Sequence, residues 1–387
     1  MNWNPRNGRK MGSAVLAGAL LLFGLASCKP TEDVVSATST VSASPSSQAA
    51  GTIPASIQQS FPNGLTIDAA VTIPDGWDLQ AVATQQMNPV VFDADKVAGQ
   101  LLAGKDIANH QTLTPGPTRG GNETPQDIYT TADDTHLNLD PALGSVRLTT
   151  PQAEAISYAY FPEETSEYYN RDAYTAESLP FMAPEDAHAQ VCAQLVEMGL
   201  PDLSDGPYEV VALDHETLQQ QEQDPKQIDI KPETAPEKKG TWTQDDDCYV
   251  FTLHPALAGE PADTQVDLSL VARPTVTVYY GPAGFLSIEG GFYEPAGEPA
   301  AQAVVPVEQA VQTFTDFYST KKYSSEEAAE HVTDIALVYY FHSAGDLTDT
   351  CEIWPVWNFR VETGLESTPQ FVMVDAVTGL LVDTRVS

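Results

Sequence analysis

Apolar and polar positions alternate cleanly near the start of the ordered part of the chain. Leu65, Ile67, Ala69, Val71 and Ile73 interleave with Thr66, Asp68, Ala70 and Thr72, the period of two that places one face of a strand against a core. Pro74-Asp75-Gly76 closes it, and residues 79–82 predict a second extended piece pairing back on the first. Asp93 is a ready N-cap for a short helix through Val97, Leu101 and Leu102 that ends at Gly104. Residues 105–125, rich in Gly, Pro, Thr and Asn, predict an exposed irregular loop. From Pro184 the spacing of Ala187, Val191, Cys192, Leu195 and Met198 predicts a helix stopped by Gly199. A strand follows at 208–213, then a polar excursion at 217–240, then strands at 249–253, 266–270 and 275–280. Gly281-Pro282-Ala283-Gly284 joins the last of these to Phe285, Leu286 and Ile288 as a hairpin. Val307, Ala310, Val311, Phe314, Phe317 and Tyr318 then form the clearest helical stripe in the chain. Strands at 335–341, 353–361 and 371–374 follow, and a turn over Asp375 to Gly379 leads to a final strand at 380–385.

The first residues follow a different pattern. Arg6, Arg9 and Lys10 precede an apolar run from Ala14 to Ala26. That run is too short for a permanent membrane span, which needs roughly 20 apolar residues, and reads as the apolar region of a signal peptide. It ends in Leu25-Ala26-Ser27-Cys28, which resembles the lipobox of bacterial lipoproteins. The resemblance implies cleavage before Cys28, a diacylglyceryl group on its thiol, and a protein held on the extracytoplasmic face of the cell membrane. Two acyl chains give stable anchoring where one is marginal. Residues 29–52, nearly all Ser, Thr, Ala and other small or polar types, predict a disordered tether with no core to bury.

The alternation of short strands and few helices predicts an α+β fold of small antiparallel sheets, each packed with one or two helices. Length suggests two or three domains. The segments read as a signal peptide (1–27), the lipidated cysteine and tether (28–52), a β-rich N-terminal portion (53–140), an α+β middle domain (141–300) and a C-terminal unit (301–387). That last unit contains a helix, a Trp354-Pro355-Val356-Trp357-Asn358-Phe359 strand and a VMVDAVTGLLVD hairpin at 372–383. It resembles PepSY-type domains, and proteins of the YycH/YycI type end in a similar Pro-x-Trp strand and V-D-A-x-T-G hairpin. Residues 248–263 and 275–295 are also similar to a family of uncharacterised lipoproteins of gut Firmicutes. These resemblances imply a non-catalytic role in contacting another exported or membrane protein, and they carry no catalytic residues.

Charge narrows the partners. Lys and Arg number 18 against 54 Asp and Glu, for a formal net charge of −36. Loss of residues 1–27 removes only Arg6, Arg9 and Lys10 and takes this to −39. Such a surface repels nucleic acid and anionic headgroups. Of the cysteines that follow Cys28, Cys192 reads as core, while Cys248 and Cys351 lie at strand edges where a bridge is conceivable.

The search for chemistry returns little. The seven histidines (110, 136, 188, 215, 254, 331 and 342) show no HExxH spacing, and no G-x-S-x-G elbow, Walker loop or Rossmann fingerprint occurs. Asp245-Asp246-Asp247 lacks the EF-hand spacing and reads as a solvated acidic turn. Tyr158, Tyr160, Tyr168, Tyr169 and Tyr174 read as loop and edge packing more readily than as a stacking platform. No metal or cofactor is called for. The leading expectation is a non-enzymatic interaction or regulatory module using exposed sheet edges. A ligand-binding lipoprotein of a transport system, with a large cleft between two lobes, ranks second. An envelope hydrolase ranks third, and His254, His331 or His342 beside a nucleophile would favour it.

Overall fold

The computed structural model describes residues 53–114, 125–163, 168–224, 238–264, 273–319, 329–343, 351–364 and 369–382. The signal peptide, the lipobox, Cys28 and the tether lie outside these residues, as do the expected strand at 266–270 and the second half of the final strand. The described residues fold as α+β around two sheets, of ten and eight strands.

The ten-stranded sheet runs β1 (Ser56–Ser60), β2 (Thr66–Thr72), β16 (Glu330–Ser343), β17 (Cys351–Thr363), β3 (Val82–Pro89), β14 (Tyr293–Pro295). β11 (Glu260–Asp263) adjoins β16 and carries β10 (Ala256–Leu257) beside it, β15 (Ala300–Gln302) adjoins β3, and β18 (Gln370–Asp375) adjoins β17. Its long central pair, β16 and β17, is antiparallel over its whole length, but β2 and β11 join β16 in parallel. The sheet is therefore mixed. A bulge between Val332 and Asp334 changes the side-chain parity of β16. Val332 before it and Ile335, Leu337, Tyr339 and Phe341 after it all enter one core. Against that face packs α5 (Val307–Tyr318), whose stripe buries Val307, Ala310, Val311, Phe314 and Tyr318. Phe314 stacks on Phe359 at 4.6 Å, and the Trp357 indole donates to the Val305 carbonyl at 3.1 Å.

Pro355 sits in a central strand, where a missing N–H normally breaks a ladder. Here it falls where β17 changes neighbours: β3 pairs with 351–353 and β18 with 356–361. The Pro355 carbonyl still accepts from the Ala376 N–H at 3.0 Å. Asp375 closes the expected turn, its carboxylate accepting from the Val377 and Thr378 N–H groups at 2.7 and 2.9 Å. Beyond Gly379, the described chain makes a single bridge, Leu381 to Val374.

The eight-stranded sheet is antiparallel throughout, in the order β4 (Ile107–Leu113), β5 (Gln126–Thr131), β6 (His136–Asp140), β7 (Ser145–Thr149), β13 (Gly284–Gly291), β12 (Val276–Gly281), β9 (Cys248–Leu253), β8 (Tyr208–Leu213). Alternate residues feed helices on both faces. Tyr249, Phe251 and Leu253 pack with α1 (Ala94–Leu101) and α3 (Pro184–Met198). Cys248 and Val250 pack with α2 (Pro151–Ile156) and α4 (His215–Glu222). Asp93, Thr150 and Asp214 cap α1, α2 and α4 through side-chain oxygens, satisfying N–H groups that the helix leaves unpaired. Gly199 ends α3 in the left-handed region at φ +88°.

Several expectations change. Residues 79–82 do not pair back on β2: Leu79 lies in a turn, and β3 begins at Val82 and pairs with β14, β15 and β17. Residues 107–113, read as loop, form β4, and the polar excursion begins with α4. The 53–140 segment contributes to both sheets, β1–β3 to one and β4–β6 to the other. Cys248 and Cys351 lie buried in different sheets and form no disulfide. The chain passes between sheets at Phe292, which follows β13 and precedes β14. The Phe292 carbonyl accepts from Val90 N–H at 2.8 Å and its N–H donates to Gly144 at 2.9 Å.

Candidate interaction surface

The three histidines that would favour a hydrolase are placed as follows. His254 faces the Glu209 carboxylate at 3.5 Å, and Arg171 holds the other oxygen of that carboxylate. His331 shares a hydrogen bond of 2.6 Å with the Thr66 hydroxyl, its cross-strand partner on an exposed face. His342 lies against Trp354 at 4.8 Å, and burial lowers its pKa. Two other histidines are paired with a carboxylate and a thiol. Both the N–H and the Nδ1 of His215 contact the buried Asp247 carboxylate, at 2.7 and 2.8 Å. His188 approaches the Cys192 thiol at 3.5 Å, one turn away on α3. Burial depresses the imidazole, while burial and then the Asp202 charge push the thiol up to about 11. The pair is therefore a neutral imidazole and a protonated thiol, the opposite of an activated nucleophile. Its i, i+4 spacing on a predicted helix was readable in the sequence.

The acidic triplet is not a solvated turn. Asp246 and Asp247 are buried, Asp246 accepting from Lys239 and from the Thr243 N–H, and Asp247 holding His215. Among the described residues no group of three or more His, Cys, Asp or Glu is placed to hold a metal. Of the tyrosine cluster, Tyr160 and Tyr174 are core residues packed edge to face at 5.3 Å, and the Tyr174 hydroxyl donates to the Ala159 carbonyl. A cleft of about 250 Å³ at the junction of the sheets is lined by Leu203, His254, Phe292 and Tyr293, below the ~300–1,000 Å³ of typical small-molecule sites.

The surface that stands out is β4. It closes one end of the eight-stranded sheet, and all seven of its residues are exposed. Ala132 donates its N–H to Asp106, while Thr131 donates to Thr135 on the opposite side. Even-numbered residues of β5 therefore point their backbone groups at β4, and Asn109, Gln111 and Leu113 answer them. His110 and Thr112 point their N–H and C=O groups outward, where no described strand pairs with them. A bulge interrupts the ladder between Ile107 and Asn109, and side-chain contacts hold the rest of the strand to β5: His110 stacks on Tyr129 at 4.0 Å, and Thr112 donates to Asp127 at 2.7 Å. Ile107 and Leu113 lie 50% and 45% exposed at its two ends.

No family model matches the chain, and no curated protein matches it. Among solved structures it is similar to an uncharacterised protein from Eubacterium rectale, with 17% identity and a TM-score of 0.53 over 86% of this chain and 94% of that one. That likeness shows the fold alone. The C-terminal domain of YpeB from Bacillus megaterium aligns over 76% of this chain and 96% of its own at 10% identity, with a TM-score of 0.26, too low to bear on the fold.

Proposed function

We propose that this chain is an exported lipoprotein, cleaved before Cys28 and anchored through it to the outer face of a membrane, whose body is a non-enzymatic interaction module. One observation carries the module reading: β4 is an edge strand exposed at every position, with the His110 and Thr112 backbone groups directed outward. Proteins normally blunt such edges with Lys, Pro, a bulge or a covering element. β4 (IANHQTL) has no Lys or Pro, confines its bulge to its first residues, and exposes two aliphatic side chains at its ends. It therefore suits an added strand from a partner, with main-chain hydrogen bonds for affinity and Ile107 and Leu113 as apolar contacts. The PepSY-type reading of residues 301–387 belongs to this proposal, supported by the order of helix, strands and turn. The binding-protein alternative ranks lower because the cleft between the sheets is small.

Crosslinking with mass spectrometry on intact cells tests the module. Residues 301–387 supply the centre of the ten-stranded sheet, so point changes discriminate better than truncation. Thr112→Pro removes an outward N–H and the exposed hydroxyl bond to Asp127 while sparing the main-chain ladder to β5. Ile107→Lys with Leu113→Lys removes the apolar contacts. Both should abolish partner crosslinks while leaving the far-UV spectrum and thermal melt unchanged. Crosslinks that survive both variants, or a wild-type chain that captures no partner where membrane neighbours are captured, would refute the proposal. For the anchor, Cys28→Ser should abolish labelling by radioactive palmitate and release the protein, and retention at the membrane would sink it.

A further inference from the structure

The ten-stranded sheet carries a second edge of different character. β1 ends the ten-stranded sheet and pairs only with β2 among the described strands. The direction of its backbone follows from two flanking hydrogen bonds. Phe61 donates its N–H to Leu65, and Val71 donates to Ala55. Ala55, Ile57, Gln59 and Phe61 therefore turn their N–H and C=O groups towards β2, in register with 71, 69, 67 and 65. Ser56, Gln58 and Ser60 turn theirs to the open side.

Beside this edge runs a groove of about 440 Å³ between β1 and α5. Ile57 and Gln59 of β1 and Phe61 just beyond it, alternate residues whose side chains share one face, form its strand wall. Val311 and Thr315 form its helix wall. Glu308 and Asp316 complete the helix side two turns apart, at the spacing that keeps both on one face. Among the described residues no Lys, Arg or His lines the groove. Asp316 is held by Gln312, which donates to it at 2.7 Å, and among the described residues neither carboxylate has a cationic partner.

We infer that this groove binds an extended, lysine- or arginine-bearing peptide segment of a partner protein as a strand added to β1. The inference rests on the interaction-module reading and assigns it a second site and a partner chemistry. The open N–H and C=O groups of Ser56, Gln58 and Ser60 supply the main-chain bonds. Alternate side chains of the added strand enter the groove, apolar ones over Ile57, Phe61 and Val311. Its cations reach the Glu308 and Asp316 carboxylates, attracted by a chain of net charge −36. A second copy of this chain, equally acidic, is a poor occupant.

The test uses the full chain in mild detergent and fluorescence anisotropy with three labelled peptides. One alternates valine and lysine, one alternates valine and glutamate, and one is a valine–lysine peptide interrupted by proline. The first should bind at low salt, weakening steeply as salt rises, and the other two should not. Gln58→Pro removes an outward N–H and leaves the ladder to β2 intact, and should weaken binding at least ~10-fold. Glu308→Lys with Asp316→Lys should do the same and flatten the salt dependence, which decides the question alone if Gln58→Pro fails to fold. Thr112→Pro at the other edge should change nothing. Equal binding of the glutamate peptide, no binding of the lysine peptide, or indifference to the β1 and α5 variants would overturn the inference. Partner crosslinks that depend on β4 would survive that failure, whereas loss of those crosslinks with peptide binding intact would sink the β4 reading instead.

Discussion

Gly144 offers the sharpest test of how the two sheets are joined. Its φ is +65°, and a Cβ built there would lie 2.4 Å from the Phe292 carbonyl oxygen, with the Val90 nitrogen and oxygen at 3.1 and 3.3 Å. All three atoms are backbone, so none can swing away. Gly144→Ala should therefore cost ~1–2 kcal/mol for the left-handed backbone. It should also disturb the hydrogen bonds that Phe292 makes with Val90 and Gly144, at ~1 kcal/mol or more each once a buried group loses its partner. The sum, about 3–5 kcal/mol, is a large part of the ~5–15 kcal/mol that holds a typical domain. Gly259→Ala is the internal control, since its φ is +87° but nothing lies within 4 Å of a Cβ there. It should lose only the backbone cost. Urea denaturation of both variants beside the wild type gives the comparison, with the slope checked for constancy. Equal losses for the two variants would show that the backbone does not approach Gly144 as closely as this geometry requires.

Tyr249 is fully buried, and its hydroxyl accepts from Leu179 N–H and donates to the Met182 carbonyl, each at 2.7 Å. Tyr249→Phe keeps the ring but strands both groups, and should cost about 2–4 kcal/mol by urea denaturation. The Lys105 ammonium, bonded at 2.6 Å, holds the Asp133 carboxyl at about 2, below its ordinary 3.8. A depressed folded pKa stabilises above the unfolded value, and that contribution is lost as pH falls from about 4 to about 2. An NMR titration should find the Asp133 midpoint near 2, returning towards 3.8 in Lys105→Met. Cys192, Cys248 and Cys351 are buried thiols, and burial raises the pKa of the first two. In a Cys28→Ser chain a thiol reagent at pH 8 should react negligibly until denaturant is added, and prompt reaction would contradict the packing.

Local signals in the sequence determined individual elements with fair accuracy. The alternation at 65–73 is β2, the Asp93 cap and the stripe from Val307 are α1 and α5, and the GPAG turn joins β12 to β13. These follow from periodicity and capping within a dozen residues, where the physics is local. β4 gave no such signal because alternation reports a half-buried strand, and a strand exposed on both faces has no buried side to report. Arrangement belonged to the tertiary structure. β2 pairs in parallel with β16 across some 265 positions, Thr66 bonding to His331, and no local pattern encodes a partner that distant. The chain visits one sheet, then the other, and returns, so sequence-contiguous portions and spatial sheets do not coincide. The β1–α5 groove joins residues 57–61 to 308–319, and the buried roles of Asp246 and Asp247 depend on Lys239 and His215 being folded onto them. Short-range periodicity sets which face of an element is apolar. Only long-range pairing decides what that face meets, and so which edges are left open to a partner.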